Sequence, residues 1–279
     1  MNATALWELP MSPISLEFKS ATTDLNWFVS PFIIRPSTYR ISVMYALILA
    51  GGRGERLRPL TDSIPKPMVP ILGKPILAYQ IAFLKEAGAE DIIFLCGYKW
   101  EKIREYFGDG AAFGVRCHYS VEQTPLGRGG AIKKGMELVP HDEPFVIALN
   151  GDNITSQALR SVIDHHKTHD AVVTDMLVPY PSSYGVVEVD EFDRVTAFRE
   201  KGELPIWINA GIYVLNLSVR PKLPDIGDHE TATFPYLVET GQLYAFKSQA
   251  FWKTIDNHKD IQEVEEILSD KVSAGNGLT

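Results

Sequence analysis

Three glycines, three arginines and one lysine fall in a single window of this 279-residue chain and carry its clearest chemistry. The window runs Ala46-Leu47-Ile48-Leu49-Ala50-Gly51-Gly52-Arg53-Gly54-Glu55-Arg56-Leu57-Arg58-Pro59-Leu60-Thr61, and Pro65-Lys66-Pro67-Met68 follows at once. A short apolar strand thus empties into a loop where Gly51, Gly52 and Gly54 can take positive φ and bring backbone N–H groups close to anionic oxygens. Arg56 and Lys66 add what amides lack, full positive charge beside oxygens that gain negative charge during phosphoryl or nucleotidyl transfer. Prolines on both sides of Lys66 fix φ and disfavour helix at the residue before each, so the lysine is expected to project from a stiff extended segment. The set reads as a polyphosphate cradle.

Two familiar glycine fingerprints do not fit these residues. The dinucleotide pattern G-x-G-x-x-G needs glycine where Leu57 stands, and the phosphate-binding P-loop needs Gly-Lys-Ser/Thr to close it. A bare G-G-x-G is ordinary turn chemistry. No turn, however, requires Arg56, Leu57, Pro59, Leu60, Thr61 and Pro65-Lys66-Pro67 together.

In these residues the chain resembles the sugar-1-phosphate nucleotidyltransferases, also called NDP-sugar pyrophosphorylases, whose signature reads L-A-G-G-x-G-x-R-L-x-P-L-T followed by P-K-P-M. Further landmarks recur in the same order: Pro125-Leu126-Gly127, Asn150-Gly151-Asp152, Tyr184-Gly185-Val186-Val187, Arg199-Glu200-Lys201, Asn209-Ala210-Gly211-Ile212-Tyr213 and Trp252-Lys253-Thr254-Ile255-Asp256. The likeness extends from about Met44 to the helix near Leu268.

The resemblance implies a reaction in which a sugar 1-phosphate oxygen attacks the α-phosphorus of a nucleoside triphosphate in line and expels pyrophosphate. Positioning and charge neutralisation do most of the work in such a transfer. Asp152 and Asp256 match the family's two Mg2+-binding aspartates, and hard carboxylate oxygens suit that ion, two being a usual protein share when phosphates and water fill the rest. Either aspartate alone would pass as a cap or turn residue. Arg56, Lys66 and Asp152 are the implied catalytic residues. Gly51, Gly52, Gly54, Glu122 and Gly127 are implied to hold the nucleotide, with the base against Gly51, Glu122 and Gly127. Lys201 is implied to hold the sugar phosphate, with Glu200, the Gly185 backbone and the Asn209 side chain on the sugar hydroxyls. By residue type alone, Glu200-Lys201 is also a plain solvated hairpin end.

Two departures from the family pattern stand out. Arg128 occupies a position where many relatives, guanylyltransferases among them, carry threonine in L-G-T-A/G-G, which leaves the base preference open. Asp256-Asn257-His258-Lys259 replaces the D-x-G-T-P of many members, although the aspartate survives. Compact size, Gly129-Gly130-Ala131-Ile132 and Asn209-Ala210-Gly211-Ile212-Tyr213 most resemble mannose- or heptose-type guanylyltransferases, with glucose 1-phosphate thymidylyltransferase as the near rival. A non-catalytic, nucleotide-sugar-sensing subunit is the rival from another class, and loss of Arg56, Lys66 or Asp152 would have favoured it.

The elements that must position these residues alternate along the chain. Ala46–Ala50, Asp91–Cys96, Arg116–Val121 and Phe145–Leu149 read as strands; Pro75–Ala87, Lys99–Phe107, Gly130–Leu138 and Ser156–His169 read as helices. This spacing implies a Rossmann-like, three-layer α/β/α fold with a mostly parallel mixed sheet. Ligands in such sheets bind beyond the carboxyl ends of the strands, where the glycine loop and Asp152 both fall. After Ala171 strands and turns dominate. Tyr184–Val189 and Arg194–Arg199 form an expected hairpin across Asp190–Asp193, Trp207–Leu215 a further strand and Asp260–Leu268 a closing helix. The later half is expected to complete the sheet and build the sugar pocket.

Residues 1–43 lack helical or alternating periodicity and read as a poorly ordered, dispensable extension, with Met44 as the candidate natural initiator. Residues 44–270 read as the catalytic domain and 271–279 as a tail, with no room for the left-handed β-helix of longer relatives. The N-terminus lacks a basic start and long apolar centre, and no apolar run approaches the ~20 residues that span a bilayer, so the reading is a cytoplasmic protein without membrane partners. A formal net charge of −8 disfavours nucleic acid as a partner. The sign reverses between Gly51 and Lys74, where Arg53, Arg56, Arg58, Lys66 and Lys74 face only Glu55 and Asp62. An NTP and a sugar 1-phosphate are the expected ligands, and assembly into a homo-oligomer is left open.

Cys96 and Cys117 read as buried free thiols. His165, His166 and His169 form H-H-x-x-H at helical spacing and read as a solvated helix face rather than a zinc pair. The aromatics of Phe234-Pro235-Tyr236 and Phe251-Trp252 read as packing.

Overall fold

The computed structural model describes residues 44–182, 184–200 and 202–273. Seven strands form the central sheet: β1 (Met44–Ala50), β2 (Ala89–Cys96), β3 (Arg116–Val121), β4 (Phe145–Asn150), β5 (Val173–Pro181), β6 (Glu203–Asn216) and β7 (Leu243–Lys247). Their order across the sheet is β7-β5-β6-β4-β1-β2-β3. β1 pairs in parallel with both β2 and β4, β3 continues parallel to β2, and β7 runs parallel to β5. β6 alone among them runs against its neighbours, β4 on one side and β5 on the other.

Continuous apolar runs form the inner strands because both sheet faces are covered. On one face Ala46, Ile48, Ile92, Phe94, Ile147 and Leu149 pack against α1 (Ile76–Glu86), α2 (Trp100–Phe107) and α4 (Leu159–Thr168). On the other, Leu47, Ile93, Leu95, Val146 and Ala148 pack against α3 (Gly127–Gly135) and, past the short helix α5 (His229–Ala232), α6 (Phe234–Glu239). The three-layer α/β/α expectation holds. A third cluster lies at the functional edge, where Val264 and Leu268 of α7 (His258–Ser273) pack on Leu57, Val69, Ile71, Ile76, Ile154 and Ile255. That cluster fastens the loop after β1 to the C-terminal helix.

Several boundaries differ from expectation. α3 starts at Gly127 rather than Gly130, and α7 runs on to Ser273. The expected hairpin is present as Val186–Val189 against Val195–Arg199, with Asp190 Oδ1 accepting from the Phe192 and Arg194 amides, but it forms its own two-stranded sheet. The histidines are not one solvated face. His166 is buried, with its ring nitrogens at 2.9 Å from Thr174 Oγ1 and 3.0 Å from Asn216 Oδ1, while the His165 and His169 rings stack. His166 falls one turn after the buried Val162 and Ile163 of α4, so the apolar stripe carries it inward. Phe234 packs in the core as expected. Cys96 and Cys117 are free thiols, Cys96 buried and Cys117 partly so, and burial pushes each up to about 12, so both stay protonated at neutral pH. No helix among the described residues is long and apolar enough to cross a membrane. The expected extension at residues 1–43 and most of the tail at 271–279 lie outside the described residues.

Candidate active site

The parallel register sets the end of β1 beside the end of β4, pairing Leu49 with Asn150. The Gly151 amide donates to Leu49 O at 2.9 Å, and a Cβ at Gly151 would lie 2.4 Å from that same carbonyl. Only glycine lets the turn bearing Asp152 come so close to the glycine loop. Gly54 has φ +66°, and a Cβ there would sit 2.7 Å from Lys66 Cβ, so the loop wraps directly onto the lysine stem. Thr61 Oγ1 fixes that wrap by donating to Gly54 O at 2.9 Å.

Lys66 is not in an extended segment. It opens a tight 3-10 turn, Lys66–Met68, in which the Met68 amide donates to Pro65 O and the Val69 amide to Lys66 O. Pro65 stays extended at φ −72°, ψ 155°. Pro67 occupies a position whose N–H would have no partner in the turn, so its missing donor costs nothing, and burial of Pro67 and Met68 overrides the pre-proline bias.

From this turn the Lys66 ammonium reaches two carboxylates that are far apart in sequence. Nζ lies 2.5 Å from Asp152 Oδ2 and 2.7 Å from Asp256 Oδ1. Arg56 donates to the same Asp256 oxygen at 2.8 Å. The lysine side chain is 13% exposed and the aspartates 25% and 26%, so the cluster is sheltered yet open on one side. Burial alone would lower the Lys66 pKa, but Asp152 and then Asp256 outweigh it, and the ammonium is held above the ordinary lysine value. It carries its charge throughout the neutral range.

A pair of three-residue strands brings the aspartates together. Asn153–Thr155 pairs antiparallel with Trp252–Thr254, and the Ile255 amide donates to Asp152 O at 2.9 Å. Gln80, buried on α1, holds the same turn from below by donating through Nε2 to Asn150 O at 2.6 Å and Asn153 O at 3.0 Å. Asn153 Nδ2 and Trp252 Nε1 both donate to Ala210 O, at 2.6 and 2.9 Å. Sequence reasoning missed Gln80 and this ladder. Neither has a periodicity signal, since strands of three residues are shorter than any alternation that can be read.

A cavity of about 370 Å³ opens over the cluster, and Gly51, Gly52, Lys66, Glu122, Gly127 and Asp152 all line it, with Leu49, Arg128 and Asn150. Glu122 Oε2 accepts from the Leu126 amide at 2.9 Å, closing the loop that leads into α3. Arg128 points its guanidinium away from a free ligand role: Nε donates to Asp228 Oδ2 at 2.7 Å, and Nη1 and Nη2 donate to Glu230 at 2.8 and 2.9 Å. Its charge is neutralised inside the protein.

The expected sugar-side residues are less converged. Asn209 Nδ2 donates to Tyr213 Oη at 2.9 Å and Glu230 Oε1 at 3.0 Å, while its Oδ1 accepts from the Gly211 amide at 2.6 Å. Gly185 packs under the Phe198 ring at the base of the hairpin, and Glu200 is exposed at its end. Among the described residues, neither Gly185 nor Glu200 bonds to the Lys66 cluster. Lys201 lies outside the described residues.

Beside this network Asp175 on β5 is buried, with Oδ1 lacking a hydrogen-bond partner among the described residues. Burial first, and the nearby Glu230 second, push its carboxyl up to about 8. A folded-state pKa raised above the unfolded value of about 3.9 gives stability that is full below that unfolded value and lost as pH rises towards the folded one. The stability read from thermal melts is therefore expected to fall from pH 4 to pH 8 by up to about 1.4 kcal/mol per pH unit from this group. Asp175→Asn should remove that slope and melt higher than the parent at pH 8. Equal slopes in the two proteins would contradict the burial argument.

The profile of the family described as "Nucleotidyl transferase" matches residues 45–271. A mannose-1-phosphate guanylyltransferase of Mycobacterium tuberculosis is 37% identical over 223 residues, covering 77% of this chain and 62% of its own length. A UTP–glucose-1-phosphate uridylyltransferase of Synechocystis is 33% identical over 250 residues, covering 82% of this chain and 64% of its own length. The chain thus spans just over three fifths of the length of these relatives. Among solved structures, HddC from Yersinia pseudotuberculosis complexed with GMP-PN superposes with a TM-score of 0.64 at 29% identity, covering 81% of this chain and 99% of that one.

Proposed function

We propose, from the premise that this chain belongs to the nucleotidyl transferase family, that it forms an NDP-sugar and pyrophosphate from a nucleoside triphosphate and a sugar 1-phosphate. GTP and a mannose- or heptose-type sugar are the favoured pair. The observation that carries the reading is the ammonium of Lys66 held by Asp152 and Asp256 against the glycine loop. Guanylyltransferase relatives and the GMP-PN complex of a similar fold support the choice of base.

Asp152 and Asp256 fit a divalent cation, since two hard carboxylates already converge on one positive charge. Mg2+ held by Asp152 and Asp256 would neutralise the charge that builds on the α-phosphate and the leaving pyrophosphate. The glycine-loop amides and Arg56 hold the β- and γ-phosphates. The Lys66 ammonium, at the mouth of the cradle, is placed to stabilise the charge of the in-line centre at the α-phosphate. A phosphate oxygen of the sugar substrate forms the new bond to the α-phosphorus, and the bond to the β-phosphate oxygen breaks as pyrophosphate leaves. Glu122 and Gly127, with Gly51, wall the base. On the sugar side Lys201 holds the sugar phosphate, Glu200 and the Gly185 backbone meet the hydroxyls, and Asn209 shapes the pocket wall, its own side-chain groups being engaged within the protein.

Mg2+-dependent pyrophosphate release from GTP, dTTP and UTP, each with mannose, heptose and glucose 1-phosphates, tests this. GTP with a mannose- or heptose-type substrate is expected to exceed the other pairs by about tenfold or more in kcat/KM, the scale that a pocket contact to a distinguishing polar group provides. No turnover with any pair, together with a raised melting temperature on adding an NDP-sugar, would replace the enzyme by a nucleotide-sugar sensor.

A further inference from the structure

The segment after Asp256 is built as a reciprocal cap on α7. Asn257 Oδ1 accepts from the Lys259 amide at 2.9 Å and the Asp260 amide at 3.1 Å, and Asp260 Oδ2 accepts in return from the Asn257 amide at 3.0 Å. That much is a capping box, which satisfies helix-start amides with two side chains. Asp260 does one thing more. The same Oδ2 accepts from the Asp256 amide at 2.9 Å, one residue beyond what the cap requires. Asp260 is itself buried, and Lys253, from the short strand that pairs beside Asp152, clamps its other oxygen at 2.9 Å while also reaching Glu263 at 2.7 Å. The backbone of Asp256 is therefore gripped from both sides, by the Asp152 carbonyl through Ile255 and by the Asp260 carboxylate through its own amide.

We propose that Asp260 is a positioning residue for the metal site, fixing the Asp256 backbone so that its carboxylate faces Asp152. The inference rests on the reading of Asp256 as a metal ligand. Groups that orient ligands in this way commonly change metal affinity by 10- to 100-fold when removed. Asp260 touches neither metal nor substrate, so its effect should appear in cation affinity and leave the substrate constants alone.

The test is titration of Mn2+, followed by electron paramagnetic resonance, into the full chain holding GTP without sugar 1-phosphate. Asp260→Ala should weaken Mn2+ binding about tenfold or more, and raise the Mg2+ concentration for half-maximal turnover in step, while KM for the sugar 1-phosphate moves less than about twofold. Asp260→Asn keeps an acceptor for both amides and should restore Mn2+ affinity to within about threefold of the parent, although its melting temperature falls with the lost Lys253 pair. Lys253→Met should lower the melting temperature and leave Mn2+ affinity near the parental value. Should Asp260→Ala fail to fold, Asp260→Gln, which displaces the acceptor by one methylene, is expected to weaken Mn2+ binding several-fold. Parental Mn2+ affinity in the Ala or Gln variant, or an equal loss in Lys253→Met, overturns the proposal. Asp256→Asn is the control for the premise: if it too binds Mn2+ like the parent, the metal assignment falls and takes this inference with it, whereas a loss there with none at Asp260 refutes the positioning role alone.

Discussion

Asp152→Asn lowers kcat by on the order of 10³ at saturating Mg2+ and substrates, while circular dichroism and melting temperature stay close to the parent's. The substitution keeps the volume and one acceptor but removes a full charge from the site proposed to hold a cation. On the proposed function, metal and phosphate charges would be compensated there in a sheltered cavity, where each missing charge weighs more than it would in water. The fold should tolerate the change because the turn is fixed by its backbone: Gly151 donates to Leu49 O, Ile255 donates to Asp152 O and Gln80 holds Asn150 O. Steady-state pyrophosphate release measures it. Turnover within tenfold of the parent would remove Asp152 from the metal site and the reaction with it.

Lys66→Met is the second large effect, and it separates two roles of one side chain. With substrates bound, loss of the ammonium beside the α-phosphate should cost about 10² to 10³ in kcat. In the free protein, the same loss leaves Asp152 and Asp256 facing each other without their shared cation, and Arg56, 73% exposed, replaces little of it. Mg2+ should then raise the melting temperature of the variant more than that of the parent, because the ion fills a gap that Lys66 otherwise occupies. Paired thermal melts with and without Mg2+ read this out. An equal Mg2+ shift in both proteins would mean that the carboxylates do not take the ion in the lysine's place.

The cradle was legible because its signals are local. An apolar run that ends in Gly51-Gly52 announces a buried strand and its loop, and Phe145–Leu149 running into Asn150-Gly151-Asp152 does the same for β4. Parallel order then fixes both on one edge. Asp256 was legible only through resemblance to a family. Its place beside Asp152 depends on three-residue strands and one backbone hydrogen bond, and such contacts leave no pattern in composition or spacing. Lys66 misled for a different reason. Proline on each side favours an extended chain, yet a 3-10 turn tolerates proline at its second position, and burial of Pro67 and Met68 favours the turn. His166 shows the same competition, since polar residue type suggested solvent while the apolar stripe of α4 turned the ring inward. Arg128, legible as a departure, needed coordinates to be seen as a tie between α3 and the segment at Asp228 and Glu230.

The ladder between Asn153–Thr155 and Trp252–Thr254 also sets when this molecule can become competent. A ribosome finishes the glycine loop, Lys66 and Asp152 well before it reaches Asp256, so a nascent chain can assemble the glycine-loop half with only one of the two acids. On the proposed function, catalytic competence would come late in translation, once the segment from Trp252 onward has emerged and paired with the strand after Asp152. Fragments halted before that point would lack the second of the two proposed metal ligands.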